Sequence, residues 1–103
     1  MTRRRLPNRR CHEVRELDWN GLRWTLGVGL FPDGRVAEVF ALDRSKSAPA
    51  IEAVVRDATI IASIALQCGA PLETLRSATT RNPDGSAASA AGAILDLLAE
   101  GAA

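Results

Sequence analysis

Ten residues set between two turn signals constrain this chain more than any other stretch. From Leu22 to Phe31, apolar side chains alternate with polar or absent ones. Leu22, Trp24, Leu26, Val28 and Leu30 fall on one side, and Arg23, Thr25, Gly27 and Gly29 on the other. Period-two alternation describes a strand with one packed face and one open face. Asn20-Gly21 precedes it, and both residues tolerate the positive φ of a tight hairpin. Pro32-Asp33-Gly34 follows as a second turn. The flanking segments HEVRELDW (12–19) and RVAEVFAL (35–42) must then pair on either side. The expected unit is an antiparallel three-stranded meander, with His12–Trp19 as an edge strand.

The next long stretch, Ser47 to Leu75, changes period. Apolar residues recur at Ile51, Val54, Val55, Ala58, Ile61, Ala62, Ala65 and Leu66, the stripe of a core-facing helix. Ser47 suits its N-cap, and Pro49 falls in the first turn, where a missing N–H costs nothing. From Ala58 to Cys68 the polar residues are Thr59, Ser63 and Gln67, four apart on one narrow strip. Such a helix is either wrapped by its own domain or shared with a second chain, and a homodimer is expected. Gly69 suits the left-handed position after a helix, and PLETLRSA reads as a second short helix. Ser89 can cap a last helix, Ala90–Glu100, that docks Ile94, Leu95, Leu97 and Leu98 on the core. The expected fold class is α+β: the meander, then two or three helices packed on one face.

A chain of 103 residues, 47% hydrophobic and 24% charged, has the makeup of one globular domain. No apolar run reaches membrane-spanning length, and the N-terminus lacks the apolar segment of a secretory signal. A cytoplasmic protein without a membrane partner is expected, with Cys11 and Cys68 as thiols. Residues 1–11 read as a flexible basic arm, 12–100 as a single domain and 101–103 as a frayed end.

The overall charge of +1 conceals an asymmetry: residues 1–15 carry a balance of +5, and the remainder −4. Arg3, Arg4, Arg5, Arg9 and Arg10 cluster in the arm, the usual electrostatic footprint of a phosphate-binding segment. A solvated tail is the alternative. Lys46 and Ser47, at the entrance to the long helix, form a second candidate anion site with its free N–H groups. Arg81, in the loop before the last helix, is a third. On this reading the chain is a non-catalytic module that binds nucleic acid or nucleotide phosphates. A protein-interaction or oligomerisation module is the alternative.

Catalytic signals are sparse. His12 is the lone histidine, and Cys11 beside it on a strand would point to the opposite face. Cys68 follows an apolar helix near its C-terminus, where the dipole disfavours a thiolate. No catalytic residue, metal or cofactor is expected. Glu38 interrupts the third strand as a candidate buried carboxylate. Gly27 and Gly29 mark either a bend or bulge in the sheet or a close approach.

The run GLRWTLGVGLFPDGRVAEVFALDRSKS, the helix end SIALQCGAPLETL and the tail DGSAASAAGAILDLL resemble the TSCPD-type domain. That domain lies at the C-terminus of adenosylcobalamin-dependent ribonucleotide reductases and also occurs as small bacterial and phage-borne proteins. The resemblance covers roughly residues 12–99. It implies an accessory module linked to nucleotides or nucleic acid, too short to be a reductase by itself. The signature Thr-Ser-Cys-Pro-Asp is missing, and the loop Ser86–Gly92 stands in its place without cysteine. The resemblance therefore carries no metal or thiol role onto this sequence.

Overall fold

In the computed structural model, which describes residues 2, 3, 6 and 12–100, three strands precede three helices. The strands are β1 (His12–Trp19), β2 (Leu22–Leu30) and β3 (Val36–Asp43), paired antiparallel in the order β1-β2-β3. The Asn20-Gly21 turn forms as its residues require, with φ of 48° and 78°. It sets Trp19 opposite Leu22 and carries the register along to His12 opposite Gly29. The expected alternation is fulfilled. Trp24, Leu26 and Val28 are fully buried and form the sheet's contribution to the core.

The register between β2 and β3 shifts between Gly29 and Leu30, a bulge. Gly29 has a steric reason as well. Its cross-strand partner is Glu38, and a Cβ on Gly29 would sit 2.5 Å from the Glu38 Cγ. Glu38 is buried as the sequence suggested, with its side chain lying across the glycine.

The helices are α1 (Pro49–Gln67), α2 (Leu72–Ala78) and α3 (Ala90–Glu100). Ser89 caps α3: its Oγ accepts the Gly92 N–H at 3.2 Å and its carbonyl accepts the Ala93 N–H. Ile94, Leu95 and Leu98 of α3 then drop onto the inner face of the sheet. At the other end, the Arg15 guanidinium rises from β1 and donates to the Leu97 carbonyl at 3.0 Å. A cation at the carbonyl end of a helix is favourable. The end of α1 is a Schellman turn, with Gly69 at φ 100°, its N–H bonded to the Leu66 carbonyl and the Ala70 N–H to that of Ala65.

The rotation of α1 departs from the expectation. Of the apolar stripe Ile51 to Leu66, Val55 and Leu66 are buried, with Ala62 packed against the core. The buried line continues through Thr59, Ser63 and Gln67, the polar strip. The cause is the position of β3 at the rim of the sheet. Among the described residues its outward N–H and C=O groups have no further strand to bond, and they need polar partners. Ser63 Oγ accepts the Val39 N–H at 3.0 Å, and Gln67 Nε2 donates to the Ala37 carbonyl at 3.1 Å. The polar strip is thus turned inward to complete the strand, and Ile51, Val54 and Ile61 face outward.

Candidate functional site

Several residues that the sequence offered for phosphate binding have other partners. Arg81 is held by Asp96: Nη1 donates to Oδ2 at 2.6 Å and Nη2 to Oδ1 at 2.9 Å. Arg76 donates to the same carboxylate at 3.0 Å. Arg81, then Arg76, hold the Asp96 carboxyl below the usual carboxylate range, against the opposing effect of burial. This cluster ties α2 and the loop after it to α3, and leaves Arg81 with a structural task.

The entrance to α1 is similarly self-contained. Asp43, at the end of β3, accepts the Ser45 N–H at 2.8 Å, the Ser45 hydroxyl at 2.9 Å and the Ser47 N–H at 2.8 Å. The Ser45 N–H is the leading cause of its lowered pKa. An anion, the Asp43 carboxylate, therefore already occupies the loop. Ser47 does not cap the helix. The N-cap is Ala48, without a side-chain cap bond, and Pro49 opens the helix as expected. Lys46 stands exposed in the left-handed region at φ 54°. In the arm, Arg3 donates its Nε–H to Gln67 Oε1 at 2.5 Å. Arg4, Arg5, Arg9 and Arg10 lie outside the described residues, as do Cys11 and the end at 101–103.

A cleft of about 790 Å³ opens near the C-terminal end of α1, bordered by Arg15, Phe31, Arg35, Gln67, Cys68 and Leu72. Its charges pair locally, Arg15 with Glu13 and Arg35 with Asp33. Among the described residues no cluster of His, Cys, Asp and Glu could hold a metal ion. No helix of the described residues is long and apolar enough to cross a membrane.

The surface that stands out is the outer face of the sheet. Val14, Gly27 and Phe40 are cross-strand partners in one row. Val14 is 73% exposed and Phe40 56%, and the glycine between them offers no side chain. The Phe40 ring leans toward Gly27, with Cδ2 3.8 Å from where a Cβ would stand. Leu42, 55% exposed, extends the patch along β3. Turning about 100° per residue, Ile60 and Ile64 of α1 come just beyond Ser63 and Gln67, on the side away from the core. That side adjoins the outer face of β3, and both isoleucines are exposed. In the next row Glu16 and Thr25, alongside Leu42, mark a polar rim, where Thr25 Oγ1 donates to Glu16 and accepts from Arg44. An aromatic anchor in an apolar patch with a polar border is the anatomy of a protein interface. The sequence signal was present in Phe40 and Leu42, which break the alternation expected of a strand with one wet face.

No protein-family model matches the chain, and no solved structure matches it. In sequence it is similar to a vitamin B12-dependent ribonucleotide reductase of Agrobacterium fabrum, 38% identical over 71 residues. Those residues are 69% of this chain and 6% of the reductase. So small a share does not amount to the whole enzyme. The chain is related to one short region of a B12-dependent ribonucleotide reductase.

Proposed function

We propose that this chain is a TSCPD-type accessory module that serves a B12-dependent ribonucleotide reductase through protein contact. The observation that supports this is the exposed row Val14, Gly27 and Phe40 with Leu42 beside it, an apolar patch that no element among the described residues covers. Burying Phe40 and Leu42 against a partner would contribute on the order of 1–2 kcal/mol each. The reductase carries a region of related sequence, so a separate copy has a natural docking place where that region sits in the larger enzyme.

Titration of the purified chain against the Agrobacterium reductase tests the reading. Micromolar binding is expected, weakened at least tenfold by Phe40→Ser with an unchanged circular dichroism spectrum. No binding by the parent chain would reject it. The reading as a nucleic-acid module draws its support from the charge of the arm, since Arg81 and the loop before α1 are engaged within the chain. A mobility shift on single- and double-stranded DNA that weakens steeply with salt would move the conclusion there.

A further inference from the structure

The outward side of α1 carries a second pattern, separate from the patch just described. Ile51, Val54, Ala58, Ile61, Ala65 and Cys68 follow one another at intervals of three, four, three, four and three. That is an uninterrupted a/d seam, the spacing by which one helix packs along another. Val54 and Ile61 are 68% and 67% exposed, the Ile51 side chain is exposed, and the small residues between them are half-buried. At about 100° per residue, the seam centres roughly 90° from the Val55–Ala62–Leu66 line that enters the core. It lies roughly opposite Ser63 and Gln67, which bind β3. No charged residue interrupts it, as Glu52, Arg56 and Asp57 all fall elsewhere on the helix.

We infer that this seam receives α1 of a second copy, antiparallel, about a two-fold axis passing between Ala58 and Ile61. The argument is self-complementarity. A two-fold interface must fit the same surface to itself. In an antiparallel register the layers become Ile51 with Cys68, Val54 with Ala65 and Ala58 with Ile61, each recurring once by symmetry. Every layer sets a β-branched side chain against a small one, so the helices approach closely and evenly. A parallel pair would instead stack Ile61 on Ile61 and Ala58 on Ala58, leaving alternate crowding and gaps. The helix has 19 residues, about 28 Å in length. Such a pair buries on the order of 600 Å² per copy, at the lower bound for a specific interface. The inference is independent of reductase docking, because the two surfaces share no residue.

Sedimentation equilibrium across a concentration series tests it first. The parent chain should dimerise with a dissociation constant in the micromolar range, and Ile61→Glu should remain a monomer with an unchanged circular dichroism spectrum. Val54→Lys is the second variant, should Ile61→Glu fail to fold. A parent chain that stays monomeric at hundreds of micromolar, or variants that dimerise like the parent, would overturn the inference. Orientation is tested in a Cys11→Ser, Cys68→Ser background. Ala58→Cys with Ile61→Cys should cross-link into a covalent dimer under mild oxidation, and Ala58→Cys alone should not. Cross-linking of the single variant would show a parallel pair and reject the stated register. Ile61→Glu that still binds the reductase, beside Phe40→Ser that still dimerises, would separate the two surfaces.

Discussion

Helices α1 and α3 pack against the same sheet under opposite rules. α3 buries Ile94, Leu95 and Leu98 and meets the inner face, where the strands' backbone groups already bond one another. α1 buries Thr59, Ser63 and Gln67 and leaves isoleucines in water. The difference lies in what each covers. A face asks for apolar area, whereas a rim asks for hydrogen-bond partners. A helix that serves a rim must turn its polar residues inward, and its apolar residues become available for other contacts.

Four substitutions sharpen that contrast. The largest effect belongs to the face: Leu98→Ala should destabilise the chain by about 3 kcal/mol, measured by urea unfolding, because it opens a cavity in the core. Ser63→Ala, at the rim, should cost about 2 kcal/mol although it removes a single oxygen, since the Val39 N–H loses its acceptor. If it proves neutral, the contrast between face and rim fails.

The joint between the helices comes next. Asp96→Asn should cost about 1 kcal/mol near neutral pH, a value kept small because the cluster is partly exposed. Arg81 and Arg76 lower the folded pKa of Asp96 below its unfolded value of about 3.9. Its contribution is therefore fully present above the unfolded value and is lost as pH falls through the folded one. The stabilities of parent and variant should converge as pH falls, and a gap that does not narrow in acid would show that geometry, not charge, is what was lost. The smallest effect belongs to the outward side of α1. In dilute solution Val54→Ala should shift stability within about 0.5 kcal/mol, measured by the same unfolding, because the side chain is exposed.

Much of the fold was legible in the sequence because it rests on local rules. Asn20-Gly21 and the alternation of Leu22–Leu30 specify a hairpin and its register together. Ser89 ahead of an apolar run specifies the start of α3. The rotation of α1 is a different kind of fact. Thr59, Ser63 and Gln67 were visible as a strip, but the demand that Ser63 and Gln67 meet arises from Val39 and Ala37, 24 or more residues earlier, and exists only once β3 lies at the sheet rim. Ser47 was misread for a related reason. Asp43 reaches forward to the N–H groups of Ser45 and Ser47, so the loop closes before the helix begins. The site was harder still. The pairing of Arg81 with Asp96 spans 15 residues and follows no period. The row Val14, Gly27 and Phe40 requires three strands in register before it exists.

The completed rim of β3 also limits how such molecules can aggregate. A β-sheet grows into a fibre by adding strands at both borders, and an exposed border is the template. Here the Ser63 and Gln67 side chains have taken the backbone groups of Val39 and Ala37 that an incoming strand would need. Among the described residues, growth is left with the β1 border. Two copies joined there would make a six-stranded sheet closed at both ends by α1, so strand-by-strand polymerisation terminates at two molecules.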